Sequence, residues 1–245
     1  MQMIDLNCDM AEGLNNDALL MPYISSANIA CGYHAGDESI MKHTVELALL
    51  NDVAIGAHPG FADKPNFGRT EMDLLSEQVY DLVTEQLYLL QKTAGTKLHH
   101  VKPHGALYNM SAKDPALAKT IAKAVFEFES RLQLFGLSGS HSIDEAKKAG
   151  LKTASEVFAD RTYQDDGSLT PRNQANAFIK TTEQAMQQVL QMIQQQTVTS
   201  TNGKQVPIIA ETICIHGDGT YAVSFAKTIY QTLQQHHILI QAITH

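Results

Sequence analysis

Short apolar runs alternate along the chain with longer segments in which apolar residues recur at helical spacing. The runs are too apolar to face water on either side, which is typical of strands in a parallel sheet. They predict eight strands, namely Met3–Asn7, Ser26–Cys31, Val53–His58, His99–Pro103, Leu132–Leu137, Lys152–Phe158, Ile208–His216 and Ile238–Thr244. Repeated strand–helix units indicate an α/β protein, either a closed parallel barrel or a doubly wound sheet.

The helical segments carry recognisable start signals. Asp114 followed by Pro115 is typical of an N-cap and a first helical position. The residues from Thr70 to Asp73 have the spacing of a capping box ahead of a long amphipathic segment. A glutamine-rich stretch from Gln184 to Gln205 predicts a helix that runs into an exposed loop.

Neither a Rossmann fingerprint nor a Walker A sequence occurs in the chain, which disfavours a doubly wound nucleotide-binding sheet. No internal repeat or Pro/Gly-rich linker divides it. A length of 245 residues is ordinary for one barrel. We therefore expect residues 1–245 to form a single parallel (β/α) barrel domain of seven or eight strands.

Charge and cysteine content indicate which partners and which cellular compartment suit the protein. The formal charge is -8, with 26 acidic and 18 basic side chains, which disfavours nucleic acid and anionic membranes as partners. Three scattered cysteines do not form a disulfide framework, and no apolar stretch reaches the roughly 18 residues of a membrane span. We expect a soluble, reduced, cytoplasmic protein.

Ionisable and polar residues follow most of the predicted strands. In a barrel these positions open on one face, the C-terminal mouth, where such folds carry their chemistry. The residues are Asn7, Asp9, Glu12, His34, Asp37, His58, Asp63, Arg69, Lys102, His104, Tyr108, Glu156, Asp160, Arg161, His216 and Asp218. Any one of these histidines alone is more often an ordinary core residue, but packing does not explain six such strand ends.

A metal site is one reading of this set. Neutral imidazoles with a carboxylate suit zinc or a similar divalent ion, and Asp9, His34, His58, His104 and His216 offer those groups. No closely spaced pair such as His-x-x-x-His is present. On residue types alone, a divalent metal therefore stays open.

Six segments resemble the LamB/YcsF family, in order and over nearly the whole chain. They are residues 5–9 (DLNCD), 26–37 (SANIACGYHAGD), 56–59 (GAHP) with 67–69 (FGR), 101–109 (VKPHGALYN), 156–161 (EVFADR) with Tyr163, and 215–218 (IHGD). The resemblance implies a fold similar to glycoside hydrolase/deacetylase barrels. It also implies ATP-dependent 5-oxoprolinase activity, in which separate B and C subunits take part and 5-oxo-L-proline is opened to L-glutamate.

Two positions depart from the family pattern. Ala11 stands where glycine is usual before the glutamate, and Thr70 stands where a second arginine usually follows Phe-Gly-Arg. We expect both to bear on substrate preference rather than on the class of reaction.

The implied reaction assigns hypothetical roles to the strand-end residues. Asp9, Glu12, Lys102 and His104 are the expected catalytic residues; Lys102 and His104 lie two residues apart and should face the mouth together. Lys102, Arg69 and Arg161 would meet phosphate or carboxylate oxygens. The expected substrate- or phosphate-binding residues are Asn7, Asn28, His34, His58, Arg69, Tyr108, Glu156, Asp160, Arg161 and His216.

Two other functions remain open on the same barrel. One is an independent metal-dependent amidase or deacetylase of carbohydrate-like substrates, which stoichiometric zinc or activity without ATP would favour. The other is a non-catalytic scaffold for partner subunits. The density of ionisable groups at the strand ends argues against the scaffold.

Overall fold

The computed structural model of the protein describes residues 2–14, 16–217 and 222–244. Its strands are β1 (Met3–Met10), β2 (Ser26–Ala30), β3 (Ala54–His58), β4 (Leu98–Val101), β5 (Gln133–Leu137), β6 (Lys152–Phe158), β7 (Thr197–Thr199), β8 (Gln205–Pro207), β9 (Thr212–Ile215) and β10 (Leu239–Ile240). Seven of them form a closed parallel barrel in the order β1-β2-β3-β4-β5-β6-β9, because β1 pairs with both β2 and β9. The predicted parallel barrel is confirmed.

Helices surround the barrel and cover its outer face. They are α1 (Asp17–Leu20), α2 (Glu38–Leu50), α3 (Ser76–Ala94), α4 (Gly105–Lys113), α5 (Pro115–Phe128), α6 (His141–Lys148), α7 (Thr182–Gln195) and α8 (Ala222–Gln235). The predicted start of α5 is confirmed, since the Asp114 carboxylate accepts a hydrogen bond from the Ala116 N–H at 2.8 Å. No helix among the described residues is long and apolar enough to cross a membrane.

The predicted capping box at Thr70 is wrong. Helix α3 begins at Ser76, and there Gln78 Oε1 accepts from the Leu75 N–H at 2.9 Å. The Thr70 N–H donates instead to Asp63 Oδ2 at 3.3 Å. Thr70 therefore belongs to the loop before α3. It is too far from the start of the helix to accept hydrogen bonds from the first N–H groups of α3.

Two further expectations differ from the structure near the C-terminal end. The sequence predicts an exposed loop after α7, but the structure has the hairpin of β7 and β8 there. In this hairpin Val198 and Val206 pair and are buried. The last predicted strand shortens to β10, which pairs only with Met3 and Ile4 and stays outside the ring. From Asp5 onward that edge of β1 is occupied by β9, so β10 has no further strand edge to pair with.

The barrel interior is polar, which differs from the expectation of strands that are apolar on both faces. Along β1, the even-numbered residues from Ile4 to Met10 belong to the apolar core between strands and helices. The odd-numbered residues Asp5, Asn7 and Asp9 bond inside the barrel, the first two to Thr212 of the neighbouring β9 and the third to Lys102 just after β4. The period of two in a strand therefore divides a helix-facing apolar side from a polar interior.

Candidate active site

A pocket of about 600 Å³ opens at the C-terminal ends of the barrel strands. Nine of the residues expected from the sequence line it: Asp9, Glu12, His58, Arg69, Lys102, His104, Tyr108, Arg161 and His216. Asn7, Asn28, His34, Glu156 and Asp160 do not line it. Most of the site residues expected from the sequence therefore lie at the barrel mouth, and the other five lie beneath or beside the pocket.

The side chain of Lys102 is the charged centre below this pocket. Its ammonium nitrogen lies 2.8 Å from Glu156 Oε1, 2.9 Å from Asp9 Oδ1 and 3.1 Å from Asn7 Oδ1, and the residue is 2% exposed. Burial by itself lowers the pKa of Lys102, but the neighbouring carboxylates hold it well above its usual range. Three oxygens and Cys214 Sγ, which lies at 3.2 Å, surround the ammonium group, so Lys102 holds the Asp9 carboxylate in place.

Amide side chains form a second layer under that ion pair. Asn28 donates to Asn7 Oδ1 at 2.7 Å and to Asp9 Oδ1 at 2.8 Å. His100 Nε2 lies 2.8 Å from Asn28 Oδ1 and extends the network towards the barrel bottom. The His100 ring fits only because residue 56 is glycine, where a Cβ would lie 2.0 Å from His100 Nε2. Asn7 and Asn28 therefore orient the carboxylates rather than face the pocket.

Three histidines and Glu12 form a compact cluster on the opposite side of Asp9. Glu12 Oε1 lies 3.4 Å from His104 Nδ1, 3.5 Å from His34 Nε2 and 3.9 Å from His58 Nε2. The His34 and His104 rings stack with their centroids 3.8 Å apart. Burial lowers the pKa of His34 to about 3 and the pKa of His104 even further. Both imidazoles are therefore neutral at physiological pH.

The Asp9 carboxylate joins the ion pair to the histidine cluster. Its Oδ1 contacts Lys102, and its Oδ2 lies 3.4 Å from His58 Nε2. Burial raises the pKa of Asp9, but His58 and Lys102 outweigh burial and hold it well below the usual value. Lys102 and His104, which the sequence places side by side, thus belong to two adjoining subsites that share Asp9.

The rim of the pocket is built by the connection from residue 159 to residue 181. Arg161 donates to the carbonyl oxygens of Ala177 and Thr170, at 3.1 and 2.5 Å, and so holds this loop together. Asp160 lies 2.8 Å from His216 Nδ1, and Arg172 approaches the other ring nitrogen of His216 at 2.9 Å. Asp218, also expected here, lies outside the described residues.

Tyr108 closes the pocket floor beside Glu156. Burial, together with the Glu156 carboxylate, holds the pKa of the Tyr108 hydroxyl well above its usual range. Neither the hydroxyl nor Glu156 Oε2 has a hydrogen-bond partner within the described part of the chain.

Several residues of this site are not among those expected from the sequence. The interior layer includes Asp5, His100, Thr212 and Cys214, and the rim includes Arg172. A signal for the interior layer exists in residues 4–10, where polar and apolar residues alternate strictly. A signal for Arg172 lies in the length of the connection from residue 159 to 181, since long ordered loops after barrel strands carry function.

Comparison with known proteins connects this site to a family. Residues 4–245 match the LamB/YcsF family. The A subunit of 5-oxoprolinase from Tolumonas auensis is 51% identical over 251 residues, which cover 99% of this chain and 100% of the relative. The crystal structure of a lactam utilization protein from Thermus thermophilus has a TM-score of 0.92 at 38% identity, covering 99% of this chain and 100% of that one. A family 4 carbohydrate esterase from Streptomyces lividans shares the fold with a TM-score of 0.51 at 12% identity, with coverage of 99% and 93%.

Proposed function

The chain belongs to the LamB/YcsF family, and from this premise we propose that it is the A subunit of an ATP-dependent 5-oxoprolinase. The complex would include B and C subunits and would hydrolyse the lactam of 5-oxo-L-proline to L-glutamate. The observation that supports this reaction most directly is the buried Asp9–Lys102 pair below a pocket of about 600 Å³. The names of the relatives support the substrate.

The chemistry explains why ATP is required. A five-membered lactam is a resonance-stabilised amide and a poor electrophile. Transfer of the γ-phosphoryl group of ATP to the lactam oxygen, with ADP as leaving group, would make the ring carbon open to attack by water. The ring C–N bond then breaks and the nitrogen takes up a proton, while hydrolysis releases the phosphate.

The site offers groups for each of these needs. Asp9 is ionised at neutral pH and borders the pocket, so we assign it to accept a proton from the attacking water. Lys102 keeps that carboxylate charged and oriented, which makes Lys102 a positioning residue. Arg69 lines the same pocket and is assigned to a phosphate or carboxylate oxygen.

Partner subunits are part of the proposal because the chain lacks a Walker A sequence. We expect the isolated chain to fold and to release almost no glutamate from 5-oxoproline. Robust ATP-dependent turnover by the isolated chain would refute the need for partners.

The test is a glutamate-release assay with 5-oxoproline, run with and without ATP and with and without the B and C subunits. Turnover should require all of them. In the full complex Asp9→Asn should lower kcat by at least about 10²-fold, the usual size for a lost acid/base group. The surface variant Asp144→Asn, in the first turn of α6, is the matched control. Equal activity of both variants would remove Asp9 from the mechanism.

A second candidate is a metal-dependent amidase, and the cluster of three histidines with Glu12 favours it. It predicts hydrolysis of an amide substrate without ATP or partner subunits. The same assay separates the two candidates, because only the first requires ATP.

A further inference from the structure

We propose that Glu12, His34, His58 and His104 bind one divalent transition-metal ion, with zinc as the expected occupant. The proposal goes beyond the reaction described above, because it concerns an ion held by this chain alone. Asp9 and His216 are among the candidate ligands expected from the sequence, but neither belongs to this cluster, and Glu12 supplies the carboxylate instead.

The spacing of the four donor atoms is close to that of a tetrahedral site. Zinc bonds of about 2.0–2.1 Å place tetrahedral ligand atoms about 3.3–3.4 Å apart. Glu12 Oε1 lies 3.4, 3.5 and 3.9 Å from the nearest nitrogens of His104, His34 and His58. His104 Nδ1 and His58 Nε2 are 2.8 Å apart, and all four atoms lie within 4.8 Å of one another. A bound ion would require the His58 and His104 nitrogens to move apart by about 0.5 Å and the stacked His34 and His104 rings to tilt.

Two of the histidines already have the outer hydrogen bonds that metal ligands need. His58 Nδ1 lies 2.7 Å from the carbonyl oxygen of Lys102, and His104 Nε2 lies 2.9 Å from the carbonyl oxygen of Phe67. A backbone carbonyl holds the proton on the far nitrogen and leaves the near nitrogen as a lone-pair donor. These near nitrogens, His58 Nε2 and His104 Nδ1, lie 2.8 Å from each other and 3.9 and 3.4 Å from Glu12 Oε1.

His34 supplies the strongest evidence for a missing partner. It is 1% exposed, yet neither ring nitrogen has a hydrogen-bond partner among residues 2–14, 16–217 and 222–244. Its ring is confined, because a Cβ at Gly60 would lie 2.7 Å from His34 Nδ1 and one at Gly68 would lie 2.7 Å from His34 Cβ. Gly60 is held in place by the Gln86 side-chain amide, which accepts a hydrogen bond from the Gly60 N–H and donates one to the Gly60 carbonyl oxygen. A buried, confined imidazole without a hydrogen-bond partner is rare in proteins, and a metal ion at Nε2 would satisfy that nitrogen.

The neighbouring group of Asp9, Cys214 and His216 also brings ligand atoms together but is a poorer cation site. Cys214 Sγ lies 3.2 Å from the Lys102 ammonium, and Arg172 lies 2.9 Å from His216 Nε2. Two cationic side chains therefore already contact residues of this group. The cluster around Glu12 consists of three imidazole rings and one carboxylate.

The ion would supply a Lewis acid beside the pocket, since Glu12, His58 and His104 line it.

The test uses the full chain without a histidine tag, stripped with a chelator and then dialysed against zinc or cobalt(II). Elemental analysis should find about one ion per chain, and the cobalt form should show the visible absorption of a tetrahedral site. Glu12→Gln and His34→Ala should each weaken binding at least 10-fold. His43→Ala, which removes an exposed histidine on α2, should bind like the wild type.

Each outcome decides the proposal. Binding that survives in both Glu12→Gln and His34→Ala, or that is lost instead in His216→Asn, would overturn it, as would a stripped wild-type chain that takes up no ion. Circular dichroism and the melting temperature identify a variant that is misfolded, and the nearly isosteric Glu12→Gln guards against that outcome. The binding test uses neither substrate, nor ATP, nor the partner proteins, so its result is independent of the glutamate-release assay.

Discussion

His100 and His34 are both buried histidines inside the same barrel, yet their surroundings differ in kind. His100 bonds to Asn28, stacks on Phe135 at 4.1 Å and belongs to an interior layer whose amide and hydroxyl groups bond to one another. His34 is equally inaccessible, but the described residues offer its ring nitrogens no hydrogen-bond partner.

The difference shows which observation identifies a functional histidine. Burial and residue type are the same at both positions, so neither criterion separates them. The two positions differ in whether the ring nitrogens are satisfied, because a protein seldom leaves a buried polar atom unpaired without a ligand to pair it. His100 finds its hydrogen-bond partners within the chain, whereas the described residues provide none for either ring nitrogen of His34.

The largest expected effect is at Lys102, where the two regions meet. Lys102→Met leaves Asp9 and Glu156 as buried charges without a counterion, so the free energy of unfolding should fall by about 3–5 kcal/mol. Urea unfolding measures the change, with the exposed Lys113→Met as control. Equal stability of the two variants would mean that the buried ion pair is absent.

The next effect is the contrast between His100→Ala and His34→Ala, measured in the stripped chain. Both variants remove the same side-chain volume, but His100→Ala also removes a hydrogen-bond partner of Asn28 Oδ1. His100→Ala should therefore be the less stable variant by about 1–3 kcal/mol. Adding zinc should stabilise His100→Ala and not His34→Ala. The reverse order of stability in the stripped chain would contradict the distinction between the two layers.

A smaller effect concerns the pH dependence of the interior layer. Burial raises the pKa of Asp5 from 3.8 to about 6, partly offset by hydrogen bonds from Ser25, Thr212 and Ser26. The folded state therefore takes up a proton at Asp5 as the pH falls from 7 to 5, while the unfolded state does not. Over this range the wild type should gain about 1 kcal/mol of stability relative to Asp5→Asn. A difference that stays constant with pH would show that Asp5 is ionised throughout.

The smallest effect tests backbone strain at the mouth. Ala11 has φ +61°, a left-handed conformation that disfavours a side chain, and it directly precedes Glu12. Ala11→Gly, which restores the residue usual in the family, should raise the free energy of unfolding by up to about 1 kcal/mol, because strain relief exceeds the loss of one buried methyl group. A melting curve compared with Ala18→Gly, a helical alanine of α1 that should lose stability, checks the sign. A loss of stability in Ala11→Gly would show that residue 11 is unstrained.

The order and type of the elements follow from local sequence, because apolar runs and helical periodicity act over a few residues. Seven barrel strands lie where those runs predict them, and β6 has the predicted bounds of Lys152–Phe158. The motif residues of the mouth are equally visible, since barrel topology brings every strand end to one face. The resemblance of six segments to one family is also a property of the sequence alone.

Only the tertiary structure decided how those residues divide between the two regions. Lys102 and His104 lie two positions apart in the chain, but pairing with Glu156 and with His58 places them in different subsites. Arg161 and Arg172 are the same residue type in the same connection after β6. Arg161 bonds to loop carbonyl oxygens, whereas Arg172 contacts His216. Likewise, no local pattern marks His34 as unsatisfied and His100 as satisfied. Such distinctions depend on contacts between residues distant in the chain, which exist only once the barrel has closed.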